Sequence, residues 1–339
     1  MIKNIVVLIV FGYTLAQAHA EEGVIAKTEY TAVTAAINET MRENHYDPAA
    51  LDKPGYKKIE AALAELAETS SSDEDFVEGF QKIWEDGPFS HVELRMAQQS
   101  ADDMAAYLDN LRVGGGGAVL TWEGDVAILT VNTMMGLDTI DEINAAYDEI
   151  ADTDTKALII DVRENGGGAF AVRPLVAHLI DDAVDAGSFV SQHWNAEFDR
   201  PPVVADVLSV KPWEGWSIRA FWVDVQKNPL TRIRFAPTEP IFAGPVYVLT
   251  SERTASAAEL AVDALKGSGR AIIVGEKTAG QMLSQKIYDV VGGFQLSLPI
   301  ADYYSINNGR IEGVGIDVDI ATTAADALDI ALRHAKSAQ

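Results

Sequence analysis

The chain has 339 residues, of which 48% are hydrophobic, so it can bury the core of one large or two ordinary domains and is too apolar for wholesale disorder. Its formal net charge is -25, which argues against nucleic acid or an anionic lipid surface as a partner. It contains no cysteine, which excludes a thiol nucleophile, a disulfide framework and a cysteine-based zinc site.

The first twenty residues predict a signal peptide. Lys3 supplies a positive start, residues 5–15 are mostly apolar, and Ala18-His19-Ala20 is a small-x-small cleavage site. The apolar run is shorter than the roughly 20 residues of a membrane span, and no later stretch is long and apolar enough. We therefore expect cleavage after Ala20 and a periplasmic or secreted protein without a membrane span.

Residues 26–85 predict three short helices, because apolar residues recur there at helical spacing. In the third segment Ser72 precedes an acidic first turn, and Phe76 and Phe80 lie one turn apart on one face. We assign residues 21–100 to a helical cap domain.

The glycine run 114–117 lacks the GK[ST] ending of a phosphate loop and is interpreted as a flexible connector.

After residue 117 strands alternate with helices, which indicates an α/β fold for a core domain of residues 101–339. The segment 189–240 is rich in aromatic residues and proline and has little periodicity, so it is interpreted as strands and excursions near the site. The predicted strands are 118–122, 126–131, 157–162, 246–250 and 271–274, and the predicted helices are 138–150, 170–180, 256–265 and 324–335.

Two of these strands end in turns of small residues. The first turn lies in IIDVRENGGG, residues 159–168, and the second in VLTSERTASAAEL, residues 248–260. Alone, the glycines indicate a tight turn and Ser256 a helix-start residue. Side by side, however, such turns could supply a nucleophile and the backbone N–H groups that stabilise an oxyanion.

A serine nucleophile needs a base, and spacing alone does not select one of the six histidines. His178 lies on an apolar helix and is expected to pack in the core. His91 lies in DGPFSHVEL, where the cap meets the core. It could be structural, or it could be the base.

Three blocks together resemble the tail-specific, or C-terminal-processing, serine peptidases of family S41. They are the Arg-x-Asn-Gly-Gly-Gly turn, Thr-Ala-Ser-Ala-Ala-Glu around Ser256, and VGEKTAGQ at residues 274–281. The resemblance implies a crotonase-like (ββα) peptidase core in which Ser256 is the nucleophile. It also implies an oxyanion hole formed by the N–H groups of Gly167 and Ala257, with no cofactor or metal.

The sequence departs from the commonest pattern of that family. Gln281 stands where many members carry a catalytic lysine, and Lys277 aligns with their arginine. The stretch between the cap and the core strands also leaves no room for a PDZ domain. In both respects the chain resembles the branch of the tricorn-protease core and the interphotoreceptor retinoid-binding-protein-like modules.

The tricorn type implies a Ser-His-Ser-Glu tetrad rather than a Ser-Lys dyad. Here Ser90-His91 matches its Ser-His pair, and Glu312 in IEGVGIDVD matches its late glutamate. Phe89 stands where an aspartate is frequent, and Val318 replaces a proline.

The resemblance implies an exported serine endopeptidase acting on unfolded or short polypeptides. A non-catalytic module that binds apolar ligands or peptides on the same fold is the alternative. Hydrolysis of a non-peptide ester is a third possibility, although no G-x-S-x-G elbow is present.

Overall fold

The computed structural model describes residues 28–337, so the predicted signal peptide and its cleavage site lie outside the described residues. Three helices open the described chain, as the periodicity predicts. They are α1 (Thr28–Asn44), α2 (Pro54–Thr69) and α3 (Asp73–Trp84), with a 3-10 helix at Pro48–Asp52 between the first two.

Local sequence explains where α3 begins and which face it buries. The Ser72 side chain accepts a hydrogen bond from the Asp75 N–H, and three acidic residues occupy the first turn, where they favour the positive end of the helix dipole. Phe76, Phe80 and Trp84 recur at helical spacing and are buried.

The rest of the chain forms two six-stranded sheets with helices packed on them. In chain order its elements are β1 (Glu93–Met96), α4 (Ala101–Asp109), β2 (Ala118–Glu123), β3 (Val126–Val131), α5 (Leu137–Ala151), β4 (Ala157–Asp161), α6 (Val172–Ala177), β5 (Val184–Ser191), α7 (Gln192–Glu197), α8 (Val204–Ser209), α9 (Ile218–Lys227), β6 (Leu230–Phe235), β7 (Val246–Thr250), α10 (Ala257–Gly267), β8 (Ile272–Gly275), β9 (Ser284–Val290), β10 (Phe294–Ser305), β11 (Gly309–Arg310), β12 (Ile320–Ala321) and α11 (Ala327–Ser337).

The first sheet has the order β12-β8-β7-β4-β3-β2, and its pairings are parallel except for the β2-β3 hairpin. The central strands β4 and β7 are buried and apolar, as expected for parallel strands covered on both faces. The predicted mixed α/β fold is confirmed. Because β4 and β7 are parallel neighbours, the turns that follow them meet at one edge of the sheet.

The second sheet is antiparallel, in the order β1-β10-β5-β6, and β9 and β11 also pair with β10. Strand β1 lies within the predicted cap segment, yet it pairs with β10, with Glu93 opposite Ser297 and Leu94 opposite Leu296. This long-range pairing brings the chain around residues 90–92 to the core.

Helix α10 is buried along its length from Ala257 to Leu265. A polar contact fixes it to β10, because the buried carboxylate of Asp263 accepts hydrogen bonds from Tyr303 Oη (2.9 Å) and Ser305 Oγ (2.7 Å). The position of Ser256, directly before this helix, is therefore tied to the core.

The glycine run before β2 is held in place rather than free. The N–H groups of Gly114 and Gly115 donate to the Asp138 carboxylate, and that of Gly116 donates to Glu142. The run therefore wraps two side chains of α5, which already occupy the donors that a phosphate would need.

Candidate active site

The turns after β4 and β7 are joined by hydrogen bonds. Thr254 Oγ1 donates to the Val162 carbonyl (2.9 Å), and the Ala255 N–H donates to the Asn165 carbonyl (3.0 Å). The Asn165 side chain extends the connection, since its Nδ2 donates to the Val131 carbonyl of β3 (2.9 Å). The two turns that the sequence singled out therefore form one unit at the end of the parallel sheet.

Ser256 is the N-cap residue of α10, with φ 55° and ψ -122°. Such a positive φ is rare outside glycine and asparagine. Gly167 is packed directly against it, because a Cβ on Gly167 would lie 2.6 Å from Ser256 Cβ. Glycine at position 167 thus permits the close approach of the two turns.

Glu259 holds the backbone around Ser256. Its buried carboxylate accepts hydrogen bonds from the N–H groups of Ser256 (3.1 Å), Gly280 (2.8 Å) and Gln281 (2.9 Å) and from Thr278 Oγ1 (2.6 Å). Burial raises the pKa of Glu259, while these four donors favour the ionised form. Residues 278–281, which belong to the third block singled out in the sequence, therefore support the serine turn.

His91 is the second residue with an unusual backbone, at φ 63°. Among residues 28–337, His91 and Ser256 are the two non-glycine residues with a positive φ. The Ser90 hydroxyl lies 2.6 Å from His91 Nδ1, which leaves Nε2 as the free ring nitrogen. Burial lowers the pKa of His91 to about 4, so its imidazole is neutral at pH 7.

One cavity of about 460 Å³ brings four of the predicted site residues together: His91, Gly167, Ser256 and Ala257 all line it. Such a volume lies in the usual range of ligand-binding pockets. In the part of the chain that the structure describes, no hydrogen bond joins the Ser256 hydroxyl to the His91 ring. A serine hydroxyl and a neutral imidazole thus belong to residues of one cavity.

Glu312 is near this cavity but does not line it. Its buried carboxylate accepts a hydrogen bond from the N–H of Met282 (2.7 Å), and Met282 is itself a lining residue. Between Glu312 and Ser90 the described structure contains no hydrogen bond. Of the four residues of the predicted tetrad, Ser90 and His91 are therefore the one pair joined by a hydrogen bond within the described residues, and Glu312 binds the Met282 backbone instead.

The two predicted oxyanion donors differ in availability. The Ala257 N–H begins α10 and has no acceptor within the described residues, as is usual for the first turn of a helix. The Gly167 N–H instead donates to Asn165 Oδ1 (2.9 Å). The N–H of Gly168, one residue later, has no acceptor among residues 28–337 and lies in the same lining turn.

Two residues bear on the lysine-dyad alternative: Gln281, which stands in the place of the catalytic lysine, and Lys277, which aligns with the arginine. Lys277 is exposed and forms an ion pair with Asp317, with 3.0 Å between Nζ and Oδ1. Gln281 is exposed, and its backbone rather than its side chain contacts the site, through Glu259. Neither side chain lines the cavity that contains Ser256.

His178 is a core residue, as predicted, since it is 2% exposed and both ring nitrogens have partners, the Pro240 carbonyl and Asn144 Oδ1. His45 is also fully buried, and its ring contacts those of Tyr46 and Phe89.

The sequence analysis assigned no role to Asn165 or Glu259. A signal for Glu259 was present, because a serine followed three residues later by glutamate is typical of a helix start in which the carboxylate binds the N-cap N–H.

Among the described residues, no group of three or more His, Cys, Asp or Glu side chains is arranged to hold a metal ion. Every helix within residues 28–337 also falls short of the length or the apolar character that a transmembrane span requires.

Known protein structures resemble this fold over most of its length. A putative peptidase from Parabacteroides merdae aligns with a TM-score of 0.61 and 15% identity, over 91% of this chain and 96% of the other. The photosystem II D1 C-terminal processing protease aligns with a TM-score of 0.54 and 15% identity, over 88% and 94%. The tricorn protease aligns with a TM-score of 0.53 and 14% identity, over 92% of this chain and 36% of its own.

Sequence relatives match shorter segments. The chloroplastic C-terminal processing peptidase of Tetradesmus obliquus is 27% identical over 204 residues, which are 60% of this chain and 36% of that protein. The carboxyl-terminal-processing protease of a Picosynechococcus species is 31% identical over 112 residues, 31% of this chain and 27% of that protein. The chain thus spans little more than a third of the first relative's length and about a quarter of the second's. The model of peptidase family S41 matches residues 125–322, more than half of the chain, and the chain belongs to that family.

Proposed function

We propose that this protein is an exported serine endopeptidase that hydrolyses peptide bonds of unfolded or short polypeptides, with Ser256 as nucleophile and His91 as general base. One observation carries the proposal. His91 and Ser256 line the same cavity, and both have the positive φ that other non-glycine residues of the described chain avoid. Unfavourable backbone conformations of this kind concentrate at functional sites.

In the proposed reaction Ser256 Oγ attacks the scissile carbonyl carbon while its proton passes to His91 Nε2. The C–N bond then breaks, and the imidazolium returns the proton to the leaving amine. Water, deprotonated by the same histidine, then attacks the acyl-enzyme. The bond between the acyl carbon and Ser256 Oγ breaks, the imidazolium returns the proton to that oxygen, and the second product leaves as a carboxylic acid. The two side chains must approach each other when substrate binds, because catalytic hydrogen bonds often tighten only in the complex.

The other predicted residues take supporting roles in this proposal. Ser90, bonded to His91 Nδ1, orients the ring and fixes its tautomer. Glu312 would support Ser90 after a local rearrangement of the Met282 backbone that it now binds. Ala257 supplies one oxyanion donor. Gly167 supplies the second if its N–H exchanges Asn165 Oδ1 for the oxyanion.

A fluorophosphonate probe tests the nucleophile directly. The purified protein without residues 1–20 should be labelled on one residue, Ser256, and the Ser256→Ala variant should not be labelled. Matched incubations with casein and with short peptides then separate a peptidase from an esterase. Absence of labelling, with the protein folded by circular dichroism, would refute a reactive serine.

A non-catalytic module that binds apolar ligands is the second candidate, favoured by the aromatic side chains that line the cavity, among them Phe189, Phe221 and Trp222. It predicts tight binding of an apolar ligand without labelling or hydrolysis.

Export is proposed from the sequence of residues 1–20 alone. N-terminal sequencing of the protein recovered outside the cytoplasm should begin at Glu21.

A further inference from the structure

The cavity that contains Ser256 has an unusual charge for this chain. The protein has 51 Asp and Glu residues against 26 Lys and Arg, yet no Asp or Glu is among the described residues that line this cavity. Two arginines do line it, Arg173 and Arg234. A strongly acidic protein thus has no carboxylate side chain among the described residues of this wall, and has two arginines there.

Arg173 has no acidic partner. It lies in α6, a few residues after the glycine turn at Gly166–Gly168, and is partly buried. Its guanidinium carbon lies 4.5 Å from the ring centroid of Trp216 and 5.1 Å from that of Trp213. Among residues 28–337 its guanidinium makes neither a hydrogen bond nor an ion pair. The rings stabilise its charge, but its five N–H groups are left without an oxygen acceptor.

Most other arginines of the described chain are satisfied. Arg232, two residues before Arg234, binds the Asp185 carboxylate through two nitrogens (2.7 and 2.8 Å), and Arg270 donates to three backbone carbonyls. An arginine that is held on aromatic rings with free donors is therefore an exception here. A planar guanidinium with free N–H groups matches the geometry of a carboxylate.

The wall around Arg173 is mostly apolar. Leu108, Phe221 and Trp222 are among the lining residues. The cavity therefore suits an apolar side chain together with one anionic group.

We propose that Arg173 is the residue that recognises a carboxylate of the peptide substrate beside an apolar side chain in the Ser256 cavity. The inference rests on the proposed peptidase function. The carboxylate could be the C-terminus of the peptide or a Glu side chain, since both present the same group. In either case the arginine is a specificity-determining residue rather than part of the bond-breaking machinery.

The test measures binding without hydrolysis, in the Ser256→Ala background. Three peptides are titrated by calorimetry at low salt: N-acetyl-Ala-Ala-Phe as the free acid, the same peptide as its C-terminal amide, and N-acetyl-Ala-Glu-Phe amide. We expect one or both carboxylate-bearing peptides to bind about ten- to a hundredfold more tightly than the neutral amide, the usual effect of a charge-assisted hydrogen bond. The tighter of the two identifies the source of the carboxylate.

Adding Arg173→Gln should abolish this preference while leaving the affinity for the neutral amide unchanged, and Arg173→Lys should retain part of it. Arg333→Gln is the matched control, because Arg333 is exposed on α11, its side chain makes no hydrogen bond or ion pair within the described residues, and it lies outside the cavity. In the parent, the preference should shrink as salt is added.

Equal binding of all three peptides, or no binding of any, would overturn the proposal. A preference that survives Arg173→Gln, or an equal loss of affinity for all three peptides in that variant, would overturn it as well. Because the assay needs no hydrolysis, a carboxylate preference can appear in a protein that fails the fluorophosphonate test, and an active peptidase can lack it. The two proposals therefore fail separately.

Discussion

Replacing Glu259 with glutamine should destabilise the protein and impair the serine turn. The carboxylate accepts two hydrogen bonds at each oxygen: Thr278 Oγ1 and the Gly280 N–H at Oε1, and the N–H groups of Ser256 and Gln281 at Oε2. Glutamine keeps one oxygen and turns an NH₂ group toward two of these donors. Each buried donor left without an acceptor costs about 1–3 kcal/mol, so the expected loss for two donors is about 2–6 kcal/mol.

Urea unfolding at pH 7 followed by circular dichroism measures this loss as a change in the free energy of unfolding. It is a large fraction of the roughly 5–15 kcal/mol that stabilises an ordinary domain. Glu252→Gln is the control, since Glu252 is exposed in the same turn and should change stability by less than about 0.5 kcal/mol. If Glu259→Gln unfolds within about 1 kcal/mol of the parent, the carboxylate does not hold the two turns together and the argument fails.

Four further outcomes are expected. Ser256→Ala should lower hydrolysis by several orders of magnitude and leave the free energy of unfolding nearly unchanged; retained activity in the purified variant would contradict the assignment. His91→Ala should be nearly as damaging in kcat/KM on the same peptide, whereas Lys277→Ala should keep most of the activity, because Lys277 is ion-paired with Asp317 outside the cavity. Since burial lowers the pKa of His91 to about 4, kcat/KM should rise with pH through an ionisation near 4, and a rise only at alkaline pH would indicate a lysine base instead. Burial also lowers the pKa of His45 to about 4, so below about pH 6.5 the unfolded chain binds a proton at this residue and the native protein does not. The free energy of unfolding should therefore fall by about 2 kcal/mol between pH 7 and pH 5 because of His45. Urea titrations at the two pH values should show a correspondingly smaller fall for His45→Phe.

The helices and parallel strands were largely predictable, because their signals are local. Apolar spacing predicted α1 to α3, and buried apolar runs predicted β4 and β7, which the structure bears out. Within the second sheet, β9 and β10 were not predicted. Strand β10 is buried at nearly every position and thus lacks the alternation that marks a half-exposed strand, and its pairing with β1 joins residues about two hundred positions apart.

The sequence by itself determined where the helix after the serine turn begins. That start depends on neighbours in the chain, since Ser256 precedes the helix and Glu259 follows at the spacing that lets its carboxylate return to the Ser256 N–H. Tertiary structure alone decided what surrounds that serine. His91 reaches the cavity because β1 pairs with β10, and Arg173 faces the same space from a helix after a different strand. These relations follow from packing between distant segments, and no periodicity within either segment encodes them.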